Sequence, residues 1–250
     1  MTQPVFFKCD LILDGDRISP ADCIAHAISQ GGHLPEIGCH FTPAILRGIA
    51  DALKDEPMPE GAVRVTQLLG CAKRAQWQKA NPLVIDPRDA WNLFRGQIGH
   101  AMVERFHDHE IFLSEERLTF EFEGIAITGK PDAVLNPEHA HLDDYKTAKW
   151  TPREPYPHHV EQVNVYAWLL ARCKKIGVKT AAIVYIEMGG VQRLPAPVWL
   201  RKKTEAFLRE RIELWKSGAP TPSEWECKSC PIQECPARLV PKRGGKREKR

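Results

Sequence analysis

Two carboxylates and one ammonium lie close together in the chain, at Asp132, Asp144 and Lys146. Asp132 stands where the short apolar run 133–135 begins, and a second run covers 141–145. The segment between the runs is rich in Asn, Pro and His, which predicts two adjacent strands joined by a hairpin-like loop. Asp144 and Lys146 are two residues apart, so both should point to the same face of the sheet.

Converging carboxylates with a neighbouring lysine suit the cleavage of phosphodiesters. The carboxylates would bind a divalent cation through hard oxygen ligands. The lysine would lie beside the metal-bound water or the scissile phosphate, as metal-assisted hydrolysis requires. The alternative is an ordinary solvated pair of Asp and Lys on one strand face, and the other candidate residues of the chain decide between the two.

A second candidate site is a run of three cysteines, Cys227, Cys230 and Cys235. Such close thiols in a reduced protein predict a metal site with one ligand missing. The metal is either zinc, completed by a fourth Cys or His, or an iron–sulfur cluster, completed by a distant Cys. Cys71 is the best candidate for that ligand, and it would join two distant parts of the chain.

Two predicted helices carry further polar candidates. The helix over 88–109 has apolar residues at helical spacing and carries His100, which is either a surface residue or a metal ligand. The helix over 158–175 carries Gln162 and Tyr166, four residues apart on one face. These two residues could form the edge of the core, contact a phosphate backbone or orient a metal-bound water.

Other segments predict the frame around these residues. The alternating runs 118–122 and 125–128 predict a hairpin that leads into Asp132, so that a meander of three or four strands carries the site. A helix is predicted over 64–80, with Cys71 inside it.

Composition bounds the class of protein. The 250 residues include no apolar run of about 20 residues and no basic start followed by an apolar stretch, so we expect a cytoplasmic protein with reduced cysteines. The net charge is only +3, and the last twelve residues hold six Lys or Arg against one Glu. Attraction to nucleic acid would therefore come from local patches and from this tail, which could equally be a solubilising end.

The assembled motifs resemble the PD-(D/E)xK nuclease superfamily, specifically its RecB-like branch with an iron–sulfur cluster. CRISPR-associated adaptation exonucleases and AddB-type nuclease domains belong to that branch. The resemblance runs from about Thr66 to Pro236. It rests on Cys71 with Arg74, Gly99-His100-Ala101, Gly129 to Asp132, Asp144-Tyr145-Lys146-Thr147, Gln162 with Tyr166, and the cysteine triplet.

The resemblance implies a role for each candidate. Lys146 would position the attacking water and stabilise charge on the phosphorane, with Asp132 and Asp144 as the catalytic carboxylates. Gln162 and Tyr166 would contact DNA or support the site. The ligands of Mg²⁺ or Mn²⁺ would be His100, Asp132, Asp144 and the carbonyl of Tyr145. A [4Fe–4S] cluster, or alternatively Zn²⁺, would be held by Cys71, Cys227, Cys230 and Cys235.

The resemblance also implies the fold and its division. We expect a restriction-endonuclease-like α/β core, in which helices flank a central mixed sheet and the cysteine site joins the early helical region to the C-terminal segment. The expected parts are an N-terminal extension of unknown role over 1–60, the nuclease domain with its cluster over 61–238, and a basic disordered tail over 239–250.

The expected activity is Mg²⁺- or Mn²⁺-dependent hydrolysis of DNA, as an exonuclease on single-stranded ends. A protein partner in a recombination or CRISPR adaptation complex is compatible with the resemblance, and so are roles in phage recombination and repair. The main alternative is a non-catalytic DNA-binding or adaptor subunit with a structural four-cysteine metal site. A further alternative is a metal-dependent hydrolase of another phosphodiester.

Overall fold

The structure is a computed structural model. It describes residues 4–8, 17–29, 41–54, 58–85, 87–105, 111–136, 138–187, 189–228, 230–232 and 234–239. The expected tail therefore lies outside the described residues beyond 239, as does the end of the helix predicted over 88–109.

The described residues form eight helices and ten strands. The helices are α1 (Pro20–Ser29), α2 (Pro43–Ala52), α3 (Val65–Leu69), α4 (Ala72–Ala80), α5 (Pro87–Arg105), α6 (Pro157–Cys173), α7 (Arg201–Ser217) and α8 (Glu224–Lys228). The strands are β1 (Val5–Phe7), β2 (Val63–Arg64), β3 (Leu83–Ile85), β4 (Ile111–Ser114), β5 (Leu118–Phe122), β6 (Ile125–Gly129), β7 (Ala133–Leu135), β8 (His141–Thr147), β9 (Thr180–Glu187) and β10 (Gly190–Ala196). No described helix is long and apolar enough to cross a membrane.

A five-stranded mixed sheet organises the molecule, in the order β10-β9-β8-β7-β4. The pair β8 and β9 is parallel, and α6 provides the crossover that a parallel pair needs. The other neighbouring pairs of this sheet are antiparallel. The predicted α/β architecture, a mixed sheet flanked by helices, is confirmed, and β8 places Asp144 and Lys146 in the middle of the sheet.

A smaller sheet has the order β2-β6-β5, and it corrects one expectation. The predicted hairpin of β5 and β6 forms, but β6 pairs with β2 on its other side rather than with β7. The single meander predicted to carry the site is therefore wrong. The chain passes from one sheet to the other between Gly129 and Asp132, and a passage between sheets leaves no mark in strand periodicity.

The N-terminal elements have an apolar cluster of their own. Phe7, Leu46 and Ile49 are fully buried there, and Trp91 and Phe94 of α5 pack against them. A Cβ on Gly48 would come within 2.4 Å of the Phe94 ring, so glycine allows α2 to approach α5 closely. The N-terminal helices thus support the helix that carries His100.

The helix predicted over 64–80 is interrupted, which moves Cys71 from a helix interior to the N-cap of α4. Gly70 has an extended backbone and ends α3. Arg211 of α7 satisfies the freed carbonyls, since Nε donates to Leu68 at 2.9 Å and Nη2 donates to Leu69 and Gly70. A distant arginine therefore stabilises the break, and local sequence does not reveal such a partner.

Candidate active site

Asp144 and Lys146 share one face of β8, as predicted from their spacing. Lys146 Nζ lies 2.7 Å from Asp144 Oδ2. The Asp144 side chain is fully buried, and the Lys146 ammonium is the one partner of its carboxylate among the described residues. A buried carboxylate with so few partners is costly unless a further cation neutralises it. This is the strongest indication of a cation at the site.

Asp132 immediately precedes β7 and faces the same space. It is 6% exposed, and its Oδ2 accepts a hydrogen bond from the backbone N–H of Tyr145 at 2.6 Å. Burial, and then the negative charge of Asp144, raise the pKa of Asp132 to about 7. The two predicted carboxylates are thus close enough for their charges to interact.

His100 of α5 completes the group from the helical side. With a proton on Nε2, the ring donates to the Tyr145 carbonyl at 3.0 Å. Its Nδ1 lies 3.3 Å from Glu115 Oε1 and 3.8 Å from Asp132 Oδ1. The hydrogen bond with Glu115 outweighs burial and raises the pKa of His100. The ring nitrogens of His100 thus lie among oxygen atoms that could also bind a metal cation.

A close approach of α5 to β8 makes this contact between His100 and Tyr145 possible. A Cβ on Gly99 would lie 3.1 Å from Cγ2 of Thr147, tighter than most real contacts. Glycine at that position therefore sets the depth at which His100 enters the site.

Glu115 is a site residue that sequence reasoning missed. His100, Glu115 and Asp132 each offer a ligand atom, and these atoms lie within 4.8 Å of one another. Glu115 follows β4 with φ +50, and its N–H donates to the Pro131 carbonyl at 3.0 Å. A left-handed conformation is uncommon for Glu and is a recurrent feature of functional sites. A polar residue at a strand end was the only signal in the sequence.

Lys146 keeps its charge in this environment. Burial acts to lower the pKa of Lys146, but the carboxylates of Asp144 and Asp132 outweigh it, so the pKa is raised. The side chain is therefore an ammonium at the pH where the carboxylates are ionised.

Gln162 and Tyr166 lie together on α6, beside the site. Gln162 Nε2 donates to the Tyr166 hydroxyl at 2.9 Å, and Tyr166 is only 6% exposed. Burial, with Asp144 and Asp132 nearby, raises the pKa of Tyr166 well above its ordinary value. The structure thus places Tyr166 in the core below the carboxylates and the half-buried Gln162 at its edge.

We expect Gly129→Ala to destabilise the protein because the Tyr166 ring lies against this glycine. An added Cβ would come within 2.6 Å of Tyr166 Cε1 and 3.0 Å of Val65 Cγ2. Overpacking of this kind costs about 1–3 kcal/mol. Thermal unfolding should show the loss, whereas Gly177→Ala, where a Cβ meets nothing within 4 Å, should leave stability nearly unchanged. Equal effects of the two substitutions would contradict this packing.

The four cysteines of the predicted metal site line one cavity. Cys71 at the start of α4 and Cys227, Cys230 and Cys235 of the C-terminal segment all border it. The backbone N–H of Cys71 donates to Glu226 Oε1 at 3.1 Å, and Arg74 Nη1 donates to the Glu226 carbonyl at 3.3 Å. These bonds fasten α8 to the start of α4 across most of the chain.

All four cysteines are described residues, and no three of their sulfurs all lie within 4.8 Å of one another. Within the described residues, the one group of three ligand atoms that lie within 4.8 Å of one another is the histidine and carboxylate group, with no cysteine in it. Tetrahedral zinc with Zn–S bonds of about 2.3 Å would hold its sulfurs closer together than that.

Comparisons with known proteins identify the family of this chain. A model of the PD-(D/E)XK nuclease superfamily matches residues 44–235. The crystal structure of SSO0001 superposes with a TM-score of 0.60 at 21% identity, covering 84% of this chain and 100% of that one. An alkaline exonuclease from Laribacter hongkongensis is more distant, with a TM-score of 0.38, 13% identity, and coverage of 69% and 93%. No curated protein matches the chain. The extent of the family match shows that the chain belongs to the PD-(D/E)XK nuclease superfamily.

Proposed function

We propose that this protein is a Mg²⁺- or Mn²⁺-dependent deoxyribonuclease. The observation that carries the proposal is the fully buried Asp144 carboxylate, which faces Asp132 and has Lys146 as its one neutralising neighbour among the described residues. Oxygen-rich ligands with one imidazole suit these hard cations. The residues that would hold the cation are His100, Glu115, Asp132, Asp144 and the Tyr145 carbonyl.

The chain's own groups have distinct tasks in the proposed hydrolysis. A bound cation supplies Lewis-acid stabilisation of the phosphate and lowers the pKa of water. Lys146 orients the attacking water and stabilises the charge that develops on the phosphorane, since its ammonium is fixed against Asp144. Tyr145 donates its N–H to Asp132 and so holds that carboxylate toward the site. Tyr166 and Gln162 support the carboxylates from α6.

Single-stranded DNA ends are the proposed substrate, and the loop between β8 and α6 supports this choice. Trp150 of that loop is 72% exposed and Tyr156 is 43% exposed, which is unusual for such large rings. The loop is anchored because Thr151 Oγ1 donates to Glu187 at 2.9 Å and the Tyr156 N–H donates to the Tyr185 hydroxyl at 3.1 Å. Exposed aromatic rings on a fixed loop suit the stacking of unpaired bases.

The test is cleavage of end-labelled single-stranded DNA, duplex DNA and RNA with Mn²⁺ or with EDTA. We expect metal-dependent degradation of single-stranded DNA from its ends, with duplex DNA cut more slowly. Cleavage of RNA without cleavage of DNA would overturn the proposal. No cleavage of any substrate by protein with an intact cysteine site would favour the DNA-binding or adaptor alternative.

The N-terminal segment over 1–60 is proposed to be an accessory part of the nuclease rather than a separate function. Its described helices bury Leu46 and Ile49 against the first half of α5. Because His100 lies further along the same helix, this packing supports the position of a proposed metal ligand. The boundaries 61–238 for the nuclease domain and 239–250 for the tail remain proposals.

A [4Fe–4S] cluster is the proposed cofactor of the four cysteines. Their convergence on one cavity supports a shared ligand, and the resemblance of their motif favours a cluster over a single zinc ion. Arg238 Nη1 donates to the carbonyls of Cys230 and Ile232 at 3.0 Å, which orders the loop that carries the thiols. The cluster would be structural, since it fastens the C-terminal segment to the start of α4.

Protein that holds the cluster and is purified without oxygen should be brown, with broad absorbance at about 400 nm from thiolate-bound iron. Cys235→Ser is expected to abolish both the colour and this absorbance. The variant should also unfold at a lower temperature, because binding free energy at such a site is folding free energy. Cys173→Ser serves as the control, since the Cys173 thiol donates a hydrogen bond to the Thr119 carbonyl at 3.4 Å and lies outside the cavity. Colourless wild-type protein with one zinc per chain would contradict the cluster.

A further inference from the structure

We infer that a cavity between α6 and the start of α7 binds the phosphate of a nucleotide. The cavity has a volume of about 350 Å³, within the usual range of small-molecule sites, about 300–1,000 Å³. Asn164, Trp168 and Ala171 contribute the α6 side of its wall. These residues project from a different face of α6 than Tyr166, so the cavity is separate from the proposed active site.

The charges at the cavity are positive. Its described lining includes Arg172, Lys175 and Arg201 and contains no acidic residue. Glu205, at the margin, offsets one of these cations, since its Oε1 accepts from Arg201 Nε at 2.7 Å and from Trp168 Nε1 at 3.3 Å. The charge of Glu205 also acts on Arg172, so the three cations of the lining exceed this one acid by two charges, which match a phosphate dianion.

Arg172 contributes positive charge to the lining of the cavity. Its guanidinium lies 4.6 Å from the centre of the Phe120 ring. Its Nε is buried and has no hydrogen-bond partner among the described residues. Arg172 lines the cavity, so an anion there would lie beside its positive charge. Lys175 Nζ donates to the Arg172 carbonyl at 3.3 Å rather than to a carboxylate, so its charge also remains available.

The start of α7 adds a second, independent attraction for an anion. The N-cap of this 17-residue helix is Leu200, which makes no side-chain capping bond. The first backbone N–H groups of a helix and its dipole favour negative charge. Arg201 and Thr204, from the first turn, line the cavity, so that end of the helix borders the space beside Arg172.

The remaining wall is apolar and aromatic, which favours a nucleotide over inorganic phosphate. Trp199 lies on this wall, and Val198 beside it is 37% exposed. Lys203 Nζ lies 4.2 Å from the centre of the Trp199 ring and adds positive charge at the rim. A flat base can pack on such a wall while its phosphate reaches the cations. The phosphate could belong to a free mononucleotide or to a bound DNA strand.

The test is calorimetric titration of the full-length Asp144→Asn variant in EDTA, so that neither cleavage nor a metal at the active site contributes. The probes are dAMP, deoxyadenosine and a short oligothymidine. We expect dAMP to bind and deoxyadenosine to bind at least about tenfold more weakly, because the phosphate makes the charge-assisted bonds. Adding Arg172→Gln should weaken dAMP binding by about tenfold or more.

Arg209→Gln is the matched control, since Arg209 of α7 pairs with Glu123 at 2.8 Å outside the cavity and should not affect binding. The double variant Lys175→Gln, Arg201→Gln alters exposed side chains and replaces Arg172→Gln if that variant unfolds. An effect of the cavity variants on oligothymidine alone would assign the phosphate to a DNA strand and would still support the site. Equal binding of dAMP and deoxyadenosine, or unchanged affinity of both dAMP and oligothymidine in the cavity variants, would overturn it.

Discussion

Replacing Lys146 by Ala, or Asp144 by Asn, is expected to lower the single-turnover rate of DNA cleavage by about a thousandfold or more. Removing one preorganised group that stabilises transition-state charge costs about a hundred- to a thousandfold, and losing a metal ligand adds to that. Lys146 and Asp144 form one ion pair at 2.7 Å, so we expect the double variant to be little slower than either single variant.

The measurement is product formation from end-labelled single-stranded DNA at saturating Mn²⁺, with enzyme in excess. Lys179→Ala is the matched control because Lys179 is exposed and its backbone N–H, bonded to the Ala140 carbonyl at 2.8 Å, is untouched by the substitution. Retention of more than about a tenth of the wild-type rate by Lys146→Ala would show that the ammonium does not stabilise the transition state.

Asp132→Asn is expected to stabilise the metal-free protein while removing activity. The ordinary pKa of an Asp is 3.8, and that of Asp132 in the fold is about 7. A folded-state pKa above the unfolded value means that stability is lost as pH rises between these two values. Above pH 7 the ionised carboxylate therefore destabilises the fold by up to about 4 kcal/mol. Asn keeps the acceptor for the Tyr145 N–H and removes the charge.

Urea unfolding in EDTA at about pH 8 and at about pH 4 tests this prediction. The gain in the free energy of unfolding of Asp132→Asn should be present at the higher pH and absent at the lower. Asp143→Asn is a control for which we expect the opposite effect on stability. Asp143 is also buried, but its Oδ1 lies 3.0 Å from Arg193 Nε and 2.9 Å from His141 Nε2, so its charge is paired. We expect Asp143→Asn to lower the free energy of unfolding by about 1–3 kcal/mol. Destabilisation by Asp132→Asn at the higher pH would contradict the proposed electrostatics.

The strand-borne part of the site could be predicted from the sequence. A period of two residues on a strand is fixed by backbone geometry, so the shared face of Asp144 and Lys146 followed from their spacing. The four cysteines line one cavity, and the metal site expected there stays a prediction. The roles of all these residues stay predictions until activity and metal content are measured.

Contacts that depend on distant partners could not be predicted. Glu115 reaches His100 from a left-handed backbone conformation that its residue type does not indicate. The helix break before Cys71 is held by Arg211, far along the chain. The strands β5 to β8 are divided between two sheets for the same reason. β6 pairs with β2 through tertiary contacts, which the local alternation of apolar residues does not reveal.

The Mn²⁺ dependence of single-stranded DNA cleavage, measured for the wild type and Asp144→Asn side by side, tests the central claim most directly. We predict no product in EDTA, a rate that rises and saturates with Mn²⁺ for the wild type, and a rate lower by about a thousandfold or more at every Mn²⁺ concentration for the variant. Cleavage that persists in EDTA, or that is equal in the two proteins, would contradict a metal-dependent nuclease site at the buried carboxylates of Asp132 and Asp144.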